Sequence, residues 1–205
     1  GSRANAMITI VTGLPRSGTS LAMQLLEAAG IPPFTDGCRS ADASNPQGYY
    51  EAEIVKTLPQ DSSWLEEAEG RAVKVIHLLL PNLPLGRNYR VLVMERDLGA
   101  VLRSQQLMLE RLGRAGAALP EERLRQVYEA QLAQMEAWLA AWPELPLLRL
   151  GFEVCLADPL NSAGQLLRWL ELPHEPPDQQ RLARLLKQRS PLSPSGNCDE
   201  VGRRS

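Results

Sequence analysis

The apolar run Met7-Ile8-Thr9-Ile10-Val11-Thr12 leads straight into Gly13-Leu14-Pro15-Arg16-Ser17-Gly18-Thr19-Ser20, and a helical pattern starts at Thr19. A strand that empties into a glycine-bounded loop and then a helix converges backbone N–H groups on one point. The helix N-terminus adds partial positive charge there, so the junction is an anion site. The two glycines are spaced as in phosphate-binding loops, yet Thr19 stands where a Lys is expected after the second glycine. The cation within the loop is Arg16, three residues earlier. A phosphate-like group fits this loop, but not in the manner of a nucleoside triphosphate.

Pro15-Arg16-Ser17-Gly18-Thr19-Ser20 resembles the 5′-phosphosulfate loop of the sulfotransferases, Pro-Lys/Arg-Ser-Gly-Thr-Ser/Thr. The resemblance implies a P-loop-type fold and, as donor, 3′-phosphoadenosine 5′-phosphosulfate (PAPS), with no metal. It assigns Pro15, Arg16, Ser17, Gly18, Thr19 and Ser20 to the 5′ end of the donor. Arg16 also offsets charge on the leaving phosphate oxygen. A second segment agrees. Tyr89-Arg90-Val91-Leu92-Val93-Met94-Glu95 has the content of a buried strand and ends in Arg96-Asp97. Asp97 suits the N-cap of a helix over Leu98–Leu112, and Ser104 follows Arg96 by eight residues. In sulfotransferases an Arg and a Ser so placed bind the 3′-phosphate. A guanidinium fork matches a phosphate bidentately and a hydroxyl donates from the side.

A third stretch, Gly151-Phe152-Glu153-Val154-Cys155-Leu156-Ala157-Asp158-Pro159, is similar to the family's Tyr-Glu-Asp-Leu…Asp-Pro. The similarity places Phe152 beside the adenine, with core packing as its competing role. Trp169-Leu170-Glu171-Leu172-Pro173 closes the likeness, which runs from Ile8 to Pro173. Many cytosolic members carry a late Arg-Lys-Gly segment that also grips the 3′-phosphate. No match is found here, Arg203-Arg204 being too slight.

A general base must take the proton of the acceptor hydroxyl, and two residues compete for that role. Val73-Lys74…His77-Leu78 resembles the Val-Lys-Thr-His-Leu-Pro of cytosolic sulfotransferases, whose His is the base and whose Lys assists. Imidazole suits the task, with an unperturbed pKa of about 6.5. Here, however, two residues separate Lys74 from His77 rather than one, which puts them on opposite faces of an unbroken strand. The rival is Glu51. Asn45-Pro46-Gln47-Gly48-Tyr49-Tyr50-Glu51 resembles an Asn-Pro-x-Gly-aromatic-aromatic-Glu stretch of bacterial sulfotransferase-like proteins. Some sulfotransferases use a Glu base in that part of the fold. The competing role for Glu51 is a favourable place in the first turn of a helix. The offset favours Glu51 over His77.

Strand and helix patterns alternate along the chain, which predicts a three-layer α/β fold with a central parallel sheet flanked by helices. Strands are expected over Ile8–Thr12, Ala72–His77, Arg90–Glu95 and Leu147–Leu150. Helices are expected over Thr19–Ala29, Glu51–Thr57, Leu98–Leu112, Glu121–Trp142, Leu160–Leu170 and Asp178–Gln188. The apolar stripe of Glu121–Trp142, Trp138 and Trp142 included, reads as core. Residues 1–6 have the look of an expression-tag remnant. Residues 7–189 are expected to form one domain, and 190–205 a loop-like or disordered tail. Gly113-Arg114-Ala115-Gly116 breaks its helix and suggests a mobile loop.

A formal net charge of -2 gives no electrostatic case for nucleic acid or an acidic membrane. No apolar run reaches membrane-spanning length. Cys38, Cys155 and Cys198 are odd in number and lack metal spacing, so free thiols in a reducing, cytoplasmic setting are expected. The expected acceptor is a small-molecule, glycan or peptide hydroxyl, or an amine, and the expected state a monomer or homodimer. Two other classes stay open. One is a P-loop kinase of a small metabolite, for which Glu95 is the only partial match to a magnesium carboxylate. The other is a non-catalytic adenosine-bisphosphate-binding protein.

Overall fold

A computed structural model describes residues 7–36, 50–113, 119–172 and 175–188. Four strands, β1 (Ile8–Thr12), β2 (Ala72–Lys74), β3 (Tyr89–Glu95) and β4 (Leu147–Gly151), form one sheet in the order β2-β1-β3-β4. All neighbours pair in parallel, with Ile10 opposite Val73 and Val91, and Val93 opposite Arg149. Such a sheet must be covered on both faces, because every strand presents apolar side chains alternately up and down. Ile8, Ile10, Val73, Val91 and Val93 project into one core, while Val11, Ala72, Leu92 and Met94 project into the other. The α/β layering expected from the alternating patterns is what forms.

Among the described residues, six α-helices accompany the sheet: α1 (Thr19–Ala28), α2 (Leu98–Arg111), α3 (Glu121–Ala140), α4 (Phe152–Ala157), α5 (Pro159–Trp169) and α6 (Pro176–Lys187). Helices α1, α5 and α6 supply Leu21, Leu25, Leu166 and Leu182 to one core. Met135 and Leu139 of α3, with the 3₁₀ segments Glu53–Thr57 and Ser63–Glu66, close the other. Asp97 caps α2 by accepting from the Ala100 N–H at 3.0 Å. Asp158 likewise accepts from the Asn161 N–H, with Pro159 opening α5.

Three elements depart from expectation. The strand predicted over Ala72–His77 pairs only to Lys74. Val75 still donates to the Val11 carbonyl at 2.9 Å, then the chain turns into a 3₁₀ helix over His77–Asn82. The helix predicted from Glu51 is a 3₁₀ turn starting at Glu53. Glu51 precedes it, its carbonyl accepting from Thr35 Oγ1 at 2.7 Å. The short helix α4 falls where no helix was expected. The expectations for Asn45–Tyr49, the 114–116 loop, the 190–205 tail, Cys38 and Cys198 lie outside the described residues. Cys155 is a buried free thiol, and burial pushes its pKa up. None of the described helices is long and apolar enough to cross a membrane.

From β1 the chain moves to β2 on one side, then returns past β1 to β3 on the other. Strand order thus reverses beside β1, and a crevice opens at the carboxyl ends of β1 and β3.

Candidate functional site

The loop Gly13–Gly18 occupies that crevice. Gly13 (φ 151°) runs so close to β3 that a Cβ would lie 2.8 Å from the Met94 carbonyl oxygen. Gly18 (φ 105°) is the N-cap of α1, and a Cβ there would lie 2.9 Å from the Phe152 ring. Both glycines are therefore required by backbone conformation and by close approach. Arg16 itself sits at φ 65°, a sparsely populated conformation for a side-chain-bearing residue. Ser17 turns inward and donates to the Leu14 carbonyl at 2.6 Å, bracing the loop instead of facing the cleft. The first N–H groups of α1 have no intrahelical acceptor. No side chain caps them and no acidic residue sits in the first turn, so the positive end of the helix dipole is left for an anion.

A cavity of about 970 Å³ opens in front of this helix end. Pro15, Arg16, Gly18, Thr19, Ser20, Glu51, Lys74, Arg96, Ser104 and Phe152 all line it. The structure thus brings together ten of the twelve residues singled out from the sequence, drawn from five separate segments. Ser17 and His77 are the two that do not line it.

On the β3 side, Arg16 Nε donates to Ser104 Oγ at 2.9 Å, and Arg96 Nη1 donates to the Arg16 carbonyl at 2.8 Å. The Arg96 guanidinium lies 4.4 Å from the centre of the Phe152 ring. Phe152 therefore supports Arg96 as well as lining the cleft. Burial lowers the Arg96 pKa; Glu153 opposes that shift, and Arg16 and Arg103 reinforce it. An arginine remains charged nonetheless. Like charges held this close repel, and an anion bound among them relieves the repulsion. Glu153 serves the backbone too, accepting from the Asp97 N–H at 2.9 Å.

On the β2 side, Lys74 Nζ donates to Ser20 Oγ at 3.0 Å, which carries an ammonium to the first turn of α1. His77 goes elsewhere. It is 4% exposed, and its Nε2 pairs with Gln131 Oε1 of α3 at 2.7 Å, beside a small cavity lined by Met135 and Trp138. Of the two base candidates, Glu51 lines the cleft and His77 does not. Lys74 and His77 project to opposite sides, as their spacing implies, although the strand ends before His77.

Sequence reasoning missed several lining residues, Met108 and Gln188 among them. Met108 places its Sδ 3.8 Å from Arg16 Nη1, and it lies one helical turn beyond Ser104 on the same face of α2, a spacing that could have found it. Gln188 follows α6, and no local signal marks it.

No protein-family model matches the chain, and no curated protein matches it either. Among solved structures, a sulfotransferase from Mycobacterium avium, STF9, aligns with a TM-score of 0.45 and 12% identity, covering 89% of this chain and 68% of that one. Similarity at that level carries no inference about function.

Proposed function

We propose that this protein is a sulfotransferase that moves the sulfuryl group of PAPS to a hydroxyl acceptor. One observation carries the reading: an uncapped helix N-terminus and the cations Arg16, Arg96 and Lys74 converge on one large cleft. The spread of those cations suits a donor that is anionic at two places. The first N–H groups of α1, Thr19, Ser20 and Lys74 suit the 5′ end. Arg96, Ser104 and the far side of Arg16 suit a 3′-phosphate. A nucleoside triphosphate has no group for the second cluster.

Bound there, PAPS supplies a sulfuryl group activated by its anhydride link to a phosphate. The acceptor oxygen forms a bond to sulfur as the bond from sulfur to the bridging oxygen breaks, and the electron pair leaves on the 5′-phosphate. Arg16 and Lys74 offset the charge that builds on that phosphate, acting as preorganised donors. The acceptor proton passes to the Glu51 carboxylate, which lines the cleft where the other candidate, His77, does not. Glu95, the partial magnesium match of the kinase reading, is exposed and does not line the cleft.

Incubation with PAPS labelled in the sulfuryl group and a panel of hydroxyl acceptors tests the reading. Label transferred to an acceptor, with release of adenosine 3′,5′-bisphosphate, is expected. Bisphosphate binding without any transfer would leave a binding protein, and the catalytic reading would be abandoned.

A further inference from the structure

The same cleft also constrains the acceptor, an inference that rests on the sulfotransferase reading. Arg96, Ser104 and Phe152 stand at the β3 and β4 side of the Gly13–Gly18 loop, whereas the segment after β2 stands at the other. Two 3₁₀ helices border the cleft there. Glu53–Thr57 presents Val55, and the chain entering and opening His77–Asn82 presents Ile76, Leu78 and Leu79.

Ile76 is 44% exposed and Leu78 is 49% exposed, in a segment whose neighbours Val75, His77 and Leu80 are buried. A 3₁₀ turn that buries His77 and Leu80 against the protein must turn other positions outward, and here those positions are leucines. Large apolar side chains left open inside a cavity gain from any ligand that removes them from water. The charged groups on this wall are paired off. Lys56 Nζ is bridged to Glu53 at 2.9 Å, and Lys74 Nζ donates to Ser20. Among the described residues of these two segments, no aromatic ring and no Asn or Gln lines the cleft, the groups that would stack on or hydrogen-bond a sugar.

We infer that the acceptor carries its hydroxyl on an uncharged apolar body, aliphatic or aromatic, and that Ile76 and Leu78 set this preference. The hydroxyl reaches the Glu51 and Lys74 end of the cleft while the apolar body lies along the wall formed by Val55, Ile76, Leu78 and Leu79. Among the described residues of that wall, Val55, Ile76, Leu78 and Leu79 offer a glycan no side-chain hydrogen-bond partner, and the charges of Glu53 and Lys56 beside them are paired with each other.

Sulfation of straight-chain primary alcohols of increasing length, alongside a neutral disaccharide, tests the inference. In the wild-type protein kcat/KM should rise about fourfold per added methylene until the wall is covered. The double variant Ile76→Ser, Leu78→Ser should flatten that rise to less than about twofold. The apolar pair Ile76→Leu, Leu78→Met should keep it. A wild-type rate independent of chain length, a preference for the disaccharide, or transfer to none of the probes overturns the inference. Calorimetry of adenosine 3′,5′-bisphosphate on the wild-type protein tells the two failures apart. If the bisphosphate binds and the disaccharide is sulfated, only the acceptor inference falls. If it does not bind, the sulfotransferase reading falls with it.

Discussion

Arg16, Arg96 and Ser104 come from a loop, a strand end and a helix, yet two hydrogen bonds join them into one unit. Their roles separate by mutation. Arg96→Ala removes a charge-assisted donor and should weaken adenosine 3′,5′-bisphosphate by about tenfold to a hundredfold. Ser104→Ala removes a neutral donor and should cost only about threefold to tenfold. Both losses should vanish against adenosine 5′-phosphate, which lacks the 3′ group; equal losses for the two ligands would refute the 3′-phosphate assignment. The two base candidates also part company. Glu51→Gln should slow turnover at least about a hundredfold with little change in bisphosphate affinity. His77→Ala should instead lower stability by about 1–3 kcal/mol, because it empties the space of a buried ring and leaves the half-buried Gln131 Oε1 without its partner, and should spare turnover. Paired kinetics and urea denaturation check this. Position in the sequence was enough to gather Arg96 and Ser104, since both lie at fixed offsets from the end of β3. Whether Arg16 reaches toward them was not legible, because that depends on its backbone conformation at φ 65°.

Among the elements, the loop between β1 and α1 bears the heaviest constraint. Gly13→Ala places a methyl group 2.6 Å from Ser17 Oγ and 2.8 Å from the Met94 carbonyl, in a backbone conformation that side chains rarely adopt. It should destabilise the fold by about 1–3 kcal/mol and abolish bisphosphate binding, as denaturation and calorimetry would report. A soluble Gly13→Ala protein with wild-type stability and affinity would contradict this close packing of loop on strand. The four strands and the long helices were readable because apolar residues recur with clear periods of two or 3.6. The 3₁₀ segments were not. They have neither period, and tertiary contacts set them: Val55, Leu65 and Leu80 are held by the core rather than by local propensity. That is why Glu51 fell outside its expected helix, and why the strand predicted through His77 stopped at Lys74.

At the scale of the whole molecule, the strand order β2-β1-β3-β4 makes the site, because it alone sets Lys74 and Arg96 on opposite sides of one loop. The alternation of elements pointed to a parallel sheet, but the order depends on crossovers whose pairing no local pattern records. One stability prediction also belongs to the whole fold. Burial pushes the Tyr89 phenol up to about 12, and its hydroxyl donates to the Pro84 carbonyl at 2.9 Å. With a folded pKa above the unfolded value, its contribution is intact below about pH 10 and is lost as pH rises toward 12. Tyr89→Phe should therefore lie below wild type in Tm at pH 8, with a gap that narrows at about pH 11.5; a gap that widens would reverse the assigned sign. The central claim is that the cleft holds a nucleotide with phosphates at both the 3′ and 5′ positions. Calorimetry with adenosine 3′,5′-bisphosphate set against ATP–Mg²⁺ tests it most directly. Tight binding of the bisphosphate with weak or no binding of ATP–Mg²⁺ is the predicted result, and tight ATP–Mg²⁺ binding with none of the bisphosphate would contradict it.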